Sequence, residues 1–445
     1  MPYTEMGNTC AKLSLISEHA KREPELQFTS LAHLLNRDFL KDCYNSLNRN
    51  KAVGIDGVCW EEYGEALDDN VEDLITRMKS KKYKPIPARR VYIPKDEKEK
   101  RPLGIPALEN KIVELGITRI LQSIYEEDFL ECSYGFRPKR SCHQAINRID
   151  KLIMTKPVNH IVEADIKGFF DNVSHEELMR FLEIRIVDRS LLELLRRFLK
   201  AGYVDDGLLV RSESGTPQGS IISPMLANIF LHYVLDTWFN KTVKSSVRGF
   251  CELLRYADDF VCVVQYAEDA QRIAKALKSR FARYGLEIHS DKSRVISFGR
   301  FERENAKKQN KGANTFDFLG FTHYCDKTRK GRFKVGRKTS RKKFKVKCDD
   351  MNRWLKSIRN LVKTKEWWKV LRSKLQGHYQ YYGVSGNMSS ILQYYTITIR
   401  LVHKWLNRRS QKKKMSWSKL NNYLRCYPLP KPSIKHNLYT LSPVK

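Results

Sequence analysis

Three aspartates carry the chemistry this sequence could perform. Asp258 and Asp259 stand side by side in LLRYADDFVCV, residues 253–263, between the apolar runs Leu253-Leu254 and Phe260 to Val264. That pattern predicts two short strands with acids at the turn between them. Adjacent carboxylates repel each other and lose hydration when buried, so such a turn invites a counter-ion, and a divalent metal suits it best. A solvated acidic turn accounts for the stretch equally well. Asp165 follows the apolar run His160 to Ala164, which predicts a strand with the acid at its C-terminal edge, where open sheets place reactive groups. If the two strands are neighbours, the three carboxylates meet. They then form the ligand set of a two-metal site, with metals roughly 3.5–4 Å apart. Mg²⁺ fits such hard oxygen ligands and keeps some waters.

Period and punctuation predict the elements that position these acids. Leu31, Leu34, Leu35, Phe39, Leu40, Cys43 and Leu47 fall at helical spacing, and a second helix is expected through Tyr63, Leu67, Val71, Leu74 and Met78. The prolines of YKPIPARRVYIPKDEKEKRPLGIP exclude a helix there. A hairpin is expected instead, with Arg89, Arg90, Lys95 and Arg101 near its ends, to grip phosphates or simply to be solvated. Ile112 to Phe129 reads as helix. SYGFRPKRSCHQAI interleaves aromatics with cations, which suits a single-stranded nucleic acid or an ordinary packed loop. Ser174 and Glu177 make a capping box at the start of a further helix. Gly215, Pro217 and Gly219 make a tight loop around Gln218, followed by a helix over Ile221 to Leu235. Helix is expected again over Leu191 to Leu199 and Ala270 to Tyr284. LEIHSDKSRVISF then runs strand, turn, strand, and residues 314–321 give a last strand. Residues 325–347 read as a basic hairpin or ribbon. Three helices follow, with stripes at Met351, Trp354, Leu355, Ile358 and Leu361; at Trp367, Val370, Leu371, Leu375 and Tyr379; and at Leu392, Tyr395, Ile399, Val402 and Leu406. The Pro-rich end is expected to be extended.

Charge adds a second clue. The 445 residues hold 82 Lys and Arg against 50 Asp and Glu, and residues 301–445 hold 36 of the former and 7 of the latter. A near-neutral body thus precedes a third carrying +29, the signature of a polyanionic partner, most often nucleic acid. The ten cysteines include no C-x-x-C pair, which argues against a zinc ribbon or a disulfide framework and fits a reducing, cytoplasmic setting. No apolar run reaches the length of a membrane span, and MPYTEMGNTC lacks a signal-peptide layout.

Seven blocks in order resemble the reverse transcriptases encoded by bacterial group II introns: YKPIPARRVYIPK to RPLGIP, SYGFRPKRSCHQAI, EADIKGFFDNVSH, GTPQGSIISPMLANI, RYADDF, LEIHSDKSRV and FLGF. The basic remainder, with GHYQYYGVSGN at 377–387, is similar to their thumb and maturase region. The resemblance implies an α+β right-hand polymerase, fingers and palm with an antiparallel palm sheet, followed by a helical thumb. Its expected divisions are an N-terminal helical extension of the fingers (1–70), fingers and palm (71–325), a basic thumb/maturase domain (326–425) and an extended basic tail (426–445). It implies an RNA-directed DNA polymerase that copies intron RNA with two Mg²⁺ ions (Mn²⁺ a possible substitute) and assists splicing and mobility. The alternative is a maturase that binds intron RNA without using polymerase chemistry. By resemblance, Asp165, Asp258, Asp259 and the carbonyl of Ile166 face the metals. Lys95 and Arg101 hold the incoming triphosphate, Phe170 excludes a ribose 2′-hydroxyl, and Gln218 lines the nucleotide pocket. Arg137 and Lys292 are expected on the primer–template side. Partners implied are intron RNA, an RNA template with a DNA primer, deoxynucleoside triphosphates and target DNA, in the bacterial cytoplasm and at the nucleoid, with no membrane. The Cys/His pairs of an HNH nuclease are absent from the sequence, so no endonuclease activity is expected.

Overall fold

Helical periods dominate both ends of the chain and short strands its middle. The computed structural model describes residues 4–94, 100–289, 293–409 and 415–438. The chain divides into two units: residues 1–142, 162–262 and 268–295 form the first, and 143–161, 263–267 and 296–445 the second. These divisions cut the chain differently from the sequence-based boundaries.

In the first unit, helix Arg37–Ser46 starts where the Asn36 side chain accepts from the Phe39 N–H at 3.1 Å, which satisfies a donor the helix cannot. The second expected helix is broken at Ala66 into Trp60–Glu65 and Leu67–Lys79. Helix Leu108–Asp128 buries Ile112, Val113, Ile117, Ile120, Leu121 and Ile124 completely, so it forms the spine of the unit. Strands β1 (Ala88–Pro94) and β2 (Lys100–Ile105) form the expected antiparallel hairpin, with Arg89 opposite Ile105.

A second sheet holds the candidate acids. Its members are β3 (His160–Ala164), β6 (Cys251–Tyr256), β7 (Asp259–Val264) and β8 (Arg294–Ser297), in the order β6-β7-β3-β8. Between β3 and β6 in sequence lies a hairpin that hydrophobic period alone does not predict, β4 (Tyr203–Asp205) and β5 (Leu208–Val210). It extends the first sheet, where β1 pairs with β4 in parallel. Phe260 to Val264 are wholly buried, as a central strand covered on both faces requires. Phe281 of helix Ala267–Arg283 packs on Phe260 at 5.8 Å between ring centroids.

Helix His175–Glu183 begins at Ser174, whose hydroxyl accepts from the Glu177 N–H at 3.3 Å. The capping box is only half made, because the Glu177 carboxylate pairs with Arg180 at 3.1 Å. Helix Ser223–Leu231 continues into two π turns, His232–Asp236 and Phe239–Val243, each wider than an α turn.

The second unit holds a three-stranded antiparallel sheet of β9 (Thr315–Phe318), β10 (Phe321–Lys327) and β11 (Phe333–Thr339). The expected ribbon ends at Thr339. RKKFKVK is instead the first two turns of helix Arg341–Ile358. Helices Thr364–Tyr382 and Met388–Asn407 follow, then Trp417–Cys426, which the sequence reading left out. Their core gathers Leu355, Trp368, Leu371, Leu375, Ile391 and Trp405. Val370, Leu392 and Leu361 are exposed, so the expected stripes are offset. In the third helix the buried face is Ile391, Tyr394, Thr398, Val402 and Trp405, about one residue round from the apolar set chosen by hydropathy alone. Residues 427–438 run extended, with Leu429 and Leu438 buried. All ten cysteines are free thiols. Among the described residues no helix is long and apolar enough to cross a membrane.

Candidate active site

The turn between β6 and β7 is held from below by one buried cation. Ala257 adopts a left-handed backbone (φ +57°), a conformation that costs a residue with a Cβ about 1 kcal/mol. Arg255, wholly buried two residues earlier in β6, donates to the Ala257 carbonyl at 3.0 Å and to Asn228 Oδ1 at 2.9 Å. Its Nε and Nη2 pair with the Asp236 carboxylate at 2.8 and 2.6 Å, and Nη2 also donates to Ser133 Oγ at 2.8 Å. Each side of this ion pair would be costly to bury alone; together, with their remaining hydrogen bonds met, they make a rigid floor.

The SYGFRPKR segment is the other half of that floor. Arg255 donates its N–H to the Cys132 carbonyl at 2.8 Å, and Tyr134 donates to the Arg255 carbonyl at 2.9 Å. Gly135 lies so close to the turn that a Cβ there would stand 2.3 Å from the Ala257 nitrogen. Arg137 is buried, ion-paired to Glu126 at 3.0 Å and bonded to the carbonyls of Leu130 and Ser133 at 2.9 and 3.0 Å. The structure therefore spends Arg137 on bracing this loop rather than presenting it to a phosphate.

Asp165 follows β3, and β3 neighbours β7, so the acids of the two strands meet at one end of the sheet. The Asp258 carboxyl is pushed above the usual carboxylate range, mainly by burial and further by the negative charge of Asp165. Its own N–H, Arg101 and Arg255 act the other way. Two like charges in a partly desolvated place call for a cation. Ile166 sits opposite Ile288 in an antiparallel bridge flanked by the bonds Lys167 N–H to Glu287 and His289 N–H to Asp165, both 2.8 Å. Ile166 is thus the non-hydrogen-bonded member, and its own C=O and N–H point away from that segment. Asp259 opens β7 and is exposed. Among the described residues no three His, Cys, Asp or Glu side chains enclose a metal by themselves. A Mg²⁺ held by one or two carboxylates and completed by substrate phosphates needs no such cage, so the donor set fits it.

A further side of the site is built by the loop 215–219. Thr216 donates its N–H to the Phe170 carbonyl at 2.7 Å, and Gly104 of β2 donates to the Gln218 carbonyl at 2.6 Å. The loop thereby ties β2, which carries Arg101, to the segment after Asp165. Gly219 (φ +111°) is required there, since a Cβ would stand 2.4 Å from the Gly104 carbonyl oxygen. Phe170 is half-buried, edge-on to the buried Phe169 at 5.3 Å. Below the loop, Glu114 accepts from Ser220 Oγ at 2.9 Å and the Ile221 N–H at 2.8 Å, and its burial pushes its carboxyl up to about 7. Lys95 and Lys292 lie outside the described residues.

A family model of the reverse transcriptases, described as RNA-dependent DNA polymerases, matches residues 93–323, more than half of the chain and inclusive of all three aspartates. The chain belongs to the reverse transcriptase family. Among its relatives, the group II intron-encoded protein LtrA of Lactococcus lactis subsp. cremoris is 38% identical over 229 residues, which is 51% of this chain and 38% of LtrA. Protein YkfC of Escherichia coli is 35% identical over 282 residues, covering 55% of this chain and 73% of YkfC. A 91 kDa protein in the cob intron of Schizosaccharomyces pombe is 36% identical over 228 residues, 51% of this chain and 28% of that protein. The match thus spans well under half the length of LtrA. In this member of the family, the residues that sequence reasoning missed are Arg255, Asp236, Glu114 and Gly135. The first three had a signal: single charges inside the apolar stretches LLRY, YVLDTW and IVELG. Charges in such places are buried only when paired or hydrogen-bonded.

Proposed function

We propose that this chain is an RNA-directed DNA polymerase encoded by a group II intron, and a maturase that binds that intron's RNA. The observation that carries the polymerase reading is the pair Asp165 and Asp258, coupled across adjacent strands with the cation of Arg101 in electrostatic reach. Asp165, Asp258, the Ile166 carbonyl and Asp259 would hold two divalent ions, Mg²⁺ by preference. Bound there, the ions lower the pKa of the primer's 3′-hydroxyl and offset charge on the departing pyrophosphate. Arg101 clamps the triphosphate by charge-assisted hydrogen bonds, with Lys95 as its partner by resemblance. Phe170, half-buried after Asp165, would exclude a ribose 2′-hydroxyl and so select deoxynucleotides. Gln218, fixed through its own backbone to β2, meets the base or sugar of the incoming nucleotide. The first unit then serves as fingers and palm, and the helices of the second as thumb and maturase surface. Intron RNA, a primed RNA template and target DNA are the partners, met in the cytoplasm and at the nucleoid. Lys292 is placed on the primer side by resemblance alone.

The test is extension of a DNA primer annealed to an RNA template with Mg²⁺ and deoxynucleotides. The wild-type chain should extend it. Asp258→Ala should lower extension by roughly a thousandfold or more, since it removes a ligand from the charge-stabilising centre. Extension by Asp258→Ala at the wild-type rate would sink the site assignment. A folded wild-type chain that binds intron RNA but never extends a primer would leave the maturase reading alone.

A further inference from the structure

In the second unit, a cavity of about 500 Å³ opens between helices Arg341–Ile358, Thr364–Tyr382 and Met388–Asn407. Its size falls in the range of small-ligand sites. The inner wall is aromatic. The His378 ring lies flat on Tyr394, with centroids 3.7 Å apart and planes 15° apart, and leans on Tyr382 at 4.8 Å. His378 is only 7% exposed, and its Nε2 has no hydrogen-bond partner. Burial of a ring nitrogen without a partner is costly, and it marks a place where a ligand atom can supply one. Burial, and next the charge of Lys347, pushes the ring's pKa down to about 4, so near neutral pH the imidazole is uncharged and free to stack. The rim is cationic: Lys347 and Lys374 flank the mouth, and its one carboxylate, Asp350, is taken up by Arg353 at 2.7 Å. Gly377 leaves a gap in the wall, where a Cβ would meet nothing within 4 Å.

We propose that this cavity takes one unpaired nucleotide of an RNA strand. The base enters beside His378, Tyr382 and Tyr394, a base edge or ribose hydroxyl meets His378 Nε2, and the flanking phosphates lie against Lys347 and Lys374. A flat ring, a hydrogen-bonding edge and an anionic tail are the three features the cavity matches, and stacking platforms beside a basic rim are how single strands are held. The two ammonium groups at the mouth repel a cationic ligand, which excludes an alkylammonium despite the aromatic wall. The surrounding charge, +29 over residues 301–445, would draw any polyanion close. Only an unpaired strand can put a base inside. The proposal deepens the RNA-binding half of the function above, yet it can fail while the polymerase reading stands.

The experiment measures binding of the full chain to labelled oligo(rA), oligo(dA), a short RNA duplex and oligo-glutamate, for wild type and Gly377→Leu. The leucine projects into open space on a helix, so the variant should fold. We expect it to lose oligo(rA) affinity by roughly tenfold, the scale of one stacked base. It should bind the duplex as before. Unchanged oligo(rA) binding, or an equal loss for the duplex, overturns the proposal. Oligo(dA) bound as tightly as oligo(rA) overturns the RNA assignment, and oligo-glutamate bound in its place overturns the nucleotide. A second measurement needs no variant. An RNA strand carrying one 4-thiouridine is irradiated on the wild-type protein and the adduct mapped. Adducts within Lys374 to Tyr394 support the proposal, and adducts found only elsewhere overturn it.

Discussion

At Glu114 a single carboxyl links the core helix to the end of the loop around Gln218, and it makes stability depend on pH. Its folded-state pKa of about 7 lies above the ordinary 4.5. The stability it contributes is therefore complete below the unfolded value and is lost as pH rises through the folded one. The loss across that window amounts to about 3 kcal/mol. Glu114→Gln keeps an acceptor for Ser220 and Ile221 but cannot ionise. We expect its urea midpoint to stay level between about pH 5 and pH 8 while that of the wild type falls. The Arg255–Asp236 pair invites a sharper dissection. Arg255→Met strands a buried carboxylate and should destabilise the first unit by about 3–5 kcal/mol in urea unfolding. The double change Arg255→Met with Asp236→Leu should recover most of that. It should not recover primer extension, because the Ala257 carbonyl still lacks its donor. A double variant that extends primers normally would reduce Arg255 to a packing residue. Neither pair was legible beforehand. A lone charge in an apolar run shows that a partner exists, but the partner lies 19 residues away for Arg255 and 106 for Glu114, and only the fold brings it in.

Among the elements, the loop 132–135 is as much part of the acidic hairpin as its own strands. Gly135→Ala would drive a methyl group into the backbone at Ala257. We expect a loss of extension of at least tenfold, with the helices of the second unit unfolding at an unchanged denaturant concentration. Interleaved cations and aromatics suggested nucleic acid in this loop, but Arg137 turns inward because four polar groups of its own loop and helix await it. Other elements were plain in the sequence: the acidic hairpin, the strand before Asp165 and the Ser174 cap, each fixed by local chemistry. The β4–β5 hairpin was also announced, by Asp206-Gly207, both at positive φ, between short apolar runs. Its strands are only three residues long, β4 half-buried and β5 exposed, so they leave no hydrophobic period to catch the eye. The run RKKFKVK shows the reverse error. Alternation there imitates a strand, while Ser340 and the apolar residues ten further on belong to a helix.

Along the chain, the excess charge and the candidate acids are separated. The acids lie before residue 260 and the excess of +29 after residue 300. Affinity for RNA should therefore fall steeply and linearly on a log–log plot against salt, as released counterions require. Asp258→Ala should shift neither that slope nor intron splicing in a folded protein. A splicing defect as deep as its polymerase defect would show that the two activities share one site. The two π turns at 232–243 set a different kind of limit on the chain. Each accommodates one residue more per turn than an α-helix, and Asp236 reaches Arg255 from the end of the first. Removing one residue there would turn everything beyond it by about 100° about the helix axis. In a library of single-codon deletions, this stretch should be as intolerant as the aspartates themselves, even where replacing the same exposed side chain, such as Asn240, is silent.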